Sequence, residues 1–177
     1  MLYSKKIAVC HGNREYDYQT LAERILRLGN SLLCDFHVCP GDRIAILCQN
    51  IPAFLEAMYA IPSVGGVLVP LNARLAPPEL EYMIRHSGTT VLIVQDELLP
   101  RVSSGVKEIV KMIHVNDYCL SHASDNDAFC CQYENLVQKT EVRYLWNDMP
   151  LTTDENALLS INYTSGSTGS LSHLFFL

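Results

Sequence analysis

Long apolar runs are missing from this chain. The longest, Val64 to Leu71, falls far short of the roughly 20 residues a membrane-spanning helix needs. The opening residues, MLYSKKIAVC, lack the apolar core of a secretory leader. Basic residues are few as well: 13 Lys and Arg stand against 19 Asp and Glu, giving a net charge of −6. They are scattered along the chain, and nucleic-acid affinity draws on clustered cations, so that class of partner is set aside. The seven cysteines, Cys10, Cys34, Cys39, Cys48, Cys119, Cys130 and Cys131, are odd in number. They form no C-x-x-C pair and no Cys/His pattern with zinc spacing. They read as reduced thiols used as small apolar side chains, which fits a cytoplasmic redox environment. The six histidines make no spaced metal site, and Asp125-Asn126-Asp127 lacks the further oxygen ligands of a calcium loop. Internal repeats, low-complexity tracts and coiled-coil heptads are absent too. The expectation is a soluble globular chain, long enough at 177 residues to bury about 70% of its unfolded surface.

What stands out is YTSGSTG, Tyr163 to Gly169. It follows an apolar run, Ala157 to Ile161, that reads as a buried strand. Glycines let a backbone turn so that several N–H groups face one way, and hydroxyls add hydrogen bonds to phosphate oxygens. A hydroxyl- and glycine-rich loop leaving a strand is therefore a candidate polyphosphate cradle. It is not a Walker loop, because G-x-x-x-x-G-K-[ST] occurs nowhere in the sequence.

Upstream, short apolar strands alternate with amphipathic helices. Lys6–Val9 and Glu15–Tyr18 flank the turn-rich His11-Gly12-Asn13, predicting a hairpin. Thr20 and Glu23 have capping-box spacing, and a helix to about Leu33 should bury Leu21, Ile25, Leu28 and Leu32. Arg43–Leu47 reads as a strand. Asn50 is the expected cap of a second helix burying Phe54, Leu55, Met58 and Tyr59, ended by Pro62 and Gly65-Gly66. Val67–Val69 is a strand, Pro77-Pro78-Glu79 opens a third helix, and Gly88 stops it. Val91–Val94 and Met112–Val115 are further strands; Ser124–Gln138 is expected to be helical, and Trp146–Asn156 a polar connection. Asn72 and Arg74 follow a strand at its carboxyl end, where α/β ligands tend to sit, though we assign them a structural part. The order predicts an α/β fold with a mostly parallel sheet flanked by helices.

Three stretches together resemble the AMP-forming acyl-activating enzymes, the adenylate-forming superfamily of acyl-CoA synthetases, 4-coumarate-CoA ligases and luciferases. Tyr16-Asp17-Tyr18-Gln19-Thr20-Leu21 is similar to the first core motif of that superfamily, Ser63 to Asn72 to the second, and Tyr163 to Gly169 to the third, its phosphate-binding loop. The linking text PGDRIAILCQNIPAFLEAMYAIPSVGGVLVPLN, RLAPPELEYMIRHSG and VLIV fits as well. The resemblance implies the N-terminal portion of an AMP-binding ligase domain over residues 1–169, an incomplete part of that fold. It also implies the family's chemistry: a carboxylic acid attacks the α-phosphate of Mg-ATP, and coenzyme A then displaces AMP from the acyl-adenylate. By the match, Thr164, Ser165, Gly166, Ser167, Thr168 and Gly169 would cradle the ATP phosphates. ATP, Mg²⁺ and coenzyme A are implied for the family.

The match lapses after Gly169. The family continues its loop with any residue, then Pro, Lys and Gly; here stand Ser170, Leu171, Ser172 and His173. Residues 170–177 are expected to be an unrelated tail, and no residue is assigned to catalysis, to the acyl site or to coenzyme A. The chain alone is expected to be an inactive truncated member, prone to self-association through uncovered apolar surface. The alternative is a non-enzymatic fragment that binds a partner. A peroxisomal parent stays open beside the cytoplasmic reading, since a C-terminal address would lie downstream.

Overall fold

Side-chain alternation along one strand divides this molecule into two cores. On β3 (Arg43–Leu47), Ile44 and Ile46 face a layer of helices on one side of the sheet, while Ala45 and Leu47 face the other. All four are fully buried, as a central parallel strand requires. The computed structural model describes residues 4–116, 132–150, 154–165 and 171–176.

The chain opens with a hairpin, β1 (Ile7–His11) and β2 (Arg14–Asp17), paired antiparallel through His11↔Arg14. Gly12 at φ 59° begins the two-residue turn, as hairpin twist favours. Helix α1 (Tyr18–Cys34) follows without a gap. Its cap is Asp17 rather than Thr20: the Asp17 carboxylate accepts from the Thr20 N–H at 2.8 Å. The helix thus begins one residue after β2, and the predicted stripe of Leu21, Ile25, Leu28 and Leu32 is buried.

β3 leads into α2 (Pro52–Ser63), β4 (Val67–Pro70), α3 (Pro77–Ser87) and β5 (Thr89–Gln95). A 3₁₀ turn (Asp96–Arg101), the short α4 (Ser104–Lys107) and β6 (Lys111–Val115) come next. Then follow α5 (Gln132–Lys139), β7 (Ser160–Ser165) and β8 (Leu171–Phe176). The main sheet has the order β6-β5-β3-β4-β7-β8; its first five strands are parallel and β8 returns antiparallel to β7. Helices α1, α2 and α5 cover one face and α3 with α4 the other. This is the mostly parallel α/β sheet expected from sequence.

Three expectations are corrected. α2 is capped at Ile51, with Pro52 at its first turn, and Asn50 stays outside. Its buried face is Ala53, Glu56, Ala57, Ala60 and Ile61, whereas Met58 and Tyr59 are 46% and 59% exposed. α2 is apolar almost all round, so periodicity could not choose its inner face. Small side chains decide it, because they let α2 approach α1 and the sheet closely. β7 starts at Ser160, later than the apolar run suggested: Leu159 is 46% exposed and only Ser160 pairs with β4. Along its whole length β7 also pairs with β8, which forms the edge of the sheet. Of the helix expected over Ser124–Gln138, α5 is seen over Gln132–Lys139, and residues 124–131 lie outside the described residues.

One buried ionic cluster ties the first core together. Arg24 on α1 donates to Glu56 on α2 (Nε–Oε1 2.7 Å) and, with both terminal nitrogens, to Glu134 on α5 (2.8 and 2.9 Å). Tyr16 and Tyr133 each donate to Glu56 at 2.7 Å. Glu56 is fully enclosed, so every one of these donors offsets the loss of water around its charge.

Candidate functional site

In an open parallel sheet, ligands bind beyond the carboxyl ends of the strands, where the chain order reverses. Here β3 is flanked by β4 and β5, so successive crossovers leave β3 in opposite directions. The carboxyl ends of all three open onto a cleft of ≈ 1040 Å³. Its polar wall includes Gln49 and Asn50 after β3, Asn72 and Arg74 after β4, Glu97 after β5, and Asn162 on β7.

The loops that form this wall are held by their own side chains. Gln95 at the end of β5 accepts from the Gln49 N–H at 2.9 Å, joining two neighbouring strand ends. Asn72 Oδ1 accepts from the Arg74 N–H at 2.9 Å, a local turn that settles the segment after β4. Arg101 reaches across from the 3₁₀ turn and donates to the carbonyls of Ala73 and Leu75. The result is a polar concavity with carboxamides, two guanidinium groups and one carboxylate around it.

β7 runs parallel to β4, so its carboxyl end points to the same edge of the sheet. Thr164 and Ser165 are its last two residues, and their backbones pair with Ser172 and Leu171 of β8. Gly166, Ser167, Thr168 and Gly169, the remainder of the sequence-predicted phosphate cradle, lie outside the described residues. Along β7 the side chains alternate: Ile161 and Tyr163 join the core beneath α3, and Asn162 lines the cleft. Burial pushes the Tyr163 phenol above its ordinary pKa.

Sequence reasoning set Asn72 and Arg74 aside as structural and took Asn50 for a helix cap; the structure brings all three to the cleft. The available signal was positional, since each follows the carboxyl end of a strand. His11, which belonged to no spaced pattern, also reaches this wall from the hairpin. Among the described residues, no group of three or more His, Cys, Asp or Glu is placed to hold a metal ion. No helix among them is long and apolar enough to cross a membrane.

A family profile described as AMP-binding enzyme matches residues 2–171. A feruloyl-CoA synthase from Amycolatopsis sp is 36% identical over 162 residues, covering 92% of this chain and 28% of that protein. The peroxisomal acetate/butyrate–CoA ligase of Arabidopsis thaliana is 28% identical over 183 residues, covering 96% of this chain and 32% of its own length. The crystal structure of an anthranilate CoA ligase in complex with anthranoyl-AMP superposes with a TM-score of 0.80 at 21% identity. That superposition covers 98% of this chain and 31% of the ligase, and it shows a shared fold. The chain spans about a third of the length of the curated relatives it matches.

Proposed function

The chain belongs to the AMP-binding enzyme family, and from that membership we propose that it carries the phosphate-binding part of an ATP-dependent acyl-CoA synthetase. The parent reaction would join a carboxylic acid to coenzyme A. Carboxylate oxygen attacks the α-phosphorus of ATP, pyrophosphate departs, and the coenzyme A thiol displaces AMP from the acyl-adenylate. One observation carries the reading: the first three residues of YTSGSTG, Tyr163 to Ser165, end β7 at the edge of the sheet where the cleft opens.

In this scheme Thr164 through Gly169 hold the β- and γ-phosphates by backbone N–H groups and hydroxyls. That arrangement suits an in-line displacement, where catalysis is largely positioning and charge stabilisation. Magnesium would supply charge neutralisation on the phosphates. Ser172 stands where the family's loop lysine is expected, and a hydroxyl cannot supply that positive charge. We therefore infer that the 177-residue chain does not turn over alone. Cys10, Cys34 and Cys39 form no disulfide, which supports a cytoplasmic setting.

A carboxylate-dependent ATP–pyrophosphate exchange assay tests this reading. Binding of Mg-pyrophosphate without exchange is the expected result. Exchange by the purified chain would overturn the inactivity, and failure to bind pyrophosphate would overturn the phosphate-binding role.

A second reading rests on the outer face of α2. Met58 and Tyr59 are exposed there, and an apolar groove of ≈ 370 Å³ runs between α2 and β1, lined by Val9, Ile51, Phe54 and Leu55. Such a surface favours self-association. Light scattering on size-separated protein should then give more than the monomer mass of 19.9 kDa, and Tyr59→Lys should restore the monomer.

A further inference from the structure

Tyr163 opens the YTSGSTG motif, yet the phosphate chemistry proposed above makes no use of it. Its hydroxyl lies 2.9 Å from His86 Nδ1 and donates to the Met83 carbonyl at 3.3 Å, both partners belonging to α3. The phenol ring meets the imidazole edge-on, with centroids 5.9 Å apart and planes at 75°. On its other side His86 stacks with Tyr82 at 5.3 Å. The end of α3 that carries His86 is firmly set. Gly88 closes the helix in the left-handed conformation at φ 66°, and Arg43 Nε donates to the Ser87 carbonyl at 2.9 Å. Ser87 and Thr89 share a hydroxyl hydrogen bond of 2.8 Å.

β7 joins the parallel sheet near its start, where the Leu68 N–H donates to the Leu159 carbonyl at 3.1 Å. Its ladder with β4 consists of the single pair Leu68↔Ser160, three residues before Tyr163. Beyond Ser160, Ile161 packs into the core beneath α3, and the polar attachment to that helix is the Tyr163 hydroxyl. Thr164 and Ser165 follow it immediately.

We propose that His86 and Tyr163 form a positioning pair, in which α3 holds the start of the phosphate-binding segment in place through the imidazole–phenol contact. The proposal rests on the phosphate-binding reading of YTSGSTG. Neither side chain touches a reacting atom: His86 acts through Tyr163, and Tyr163 through the backbone of the residues after it.

The test uses the 177-residue chain with Tyr163→Phe, His86→Leu, the double variant, and His86→Asn, whose carboxamide places a polar atom where Nδ1 sits. Amide hydrogen exchange at Thr164 and Ser165 should quicken about fivefold in each single variant, the factor a typical hydrogen bond corresponds to. The double variant should be no faster than either single, His86→Asn should stay near the parent, and the β3 amides should not move. Unchanged exchange in both singles would overturn the pairing, as would factors that multiply in the double variant. The second readout is the Kd for Mg-pyrophosphate, expected to weaken about fivefold in Tyr163→Phe and His86→Leu and to recover in His86→Asn. Altered exchange with an unaltered Kd would overturn the positioning role. A parent chain that binds no pyrophosphate would overturn the phosphate-loop reading, while the exchange rates would still decide the tether.

Discussion

The guanidinium of Arg24 sits 2.7 Å from the carboxylate of Glu56, and the Glu56 side chain has no exposed surface at all. A carboxylate in that position depends on its cation, because breaking a buried pair leaves an uncompensated charge. Arg24→Met should therefore lower the unfolding free energy by about 3 kcal/mol or more, read from urea denaturation. An unchanged midpoint would mean that water replaces the guanidinium around Glu56.

The same cluster sets the pH limits of stability. Burial acts to raise the Glu134 carboxyl, but hydrogen bonds and charge from Arg24 outweigh it and hold the group below its ordinary range. Asp17 is lowered as well, by the Thr20 N–H. Both contribute stability that is present above the unfolded carboxylate pKa, about 4, and disappears as pH falls through their lower folded values. Burial and the Glu56 charge push the Tyr16 and Tyr133 phenols upward, so their contribution is intact below about pH 10 and is lost as pH climbs above it. Thermal melts across pH should fall at both ends. Glu134→Gln should flatten the acid limb, and Tyr16→Phe the alkaline one.

Gly66 is the close-approach glycine of the Ser63–Asn72 motif. A Cβ there would stand 2.7 Å from Ile44 Cδ1 and 3.1 Å from the Ile61 carbonyl oxygen. Gly66→Ala should cost about 1–3 kcal/mol by overpacking the junction of α2 with β3. Equilibrium unfolding measures it; a variant as stable as the parent would show that Ile44 moves aside freely.

Asn30 is fully buried inside α1 and holds a distant segment by its carboxamide. Its Oδ1 accepts from the N–H groups of Arg143 and Tyr144, both at 2.8 Å, and its Nδ2 donates to the Leu26 and Tyr144 carbonyls, both at 2.9 Å. Asn30→Ala strands these backbone groups, at about 1–3 kcal/mol for each one left unsatisfied. A lowered Tm together with faster amide exchange at Arg143 and Tyr144 is expected. A lowered Tm with protected amides would refute the account.

Much of this architecture could be read from residues alone, and the reasons are local. Leu21, Ile25, Leu28 and Leu32 repeat with the helical period, Pro77-Pro78 can only begin a helix, and Gly88 ends one where a left-handed residue is needed. The three motifs in order were enough for the family. α2 resisted the same treatment because Met58 and Tyr59 lie outside while a glutamate lies within, an arrangement that makes sense only once Arg24 is opposite. Asn30 carries no periodic signal, and its value comes from carbonyls and amides more than a hundred residues away. The cleft escaped notice for a related reason: Gln49, Asn72 and Glu97 become neighbours only when three strands lie side by side.

The distances along the chain within the Arg24 cluster imply an order of assembly. Glu56 is 32 residues from Arg24, whereas Glu134 is 110 away. Closing the longer loop costs more entropy, so the α1–α2 pairing is set to form first and α5 to dock late. Arg24 then meets its first carboxylate early, through Nε and Nη2, and keeps Nη1 in reserve for Glu134. A chain emerging from the ribosome would never have to enclose that arginine bare.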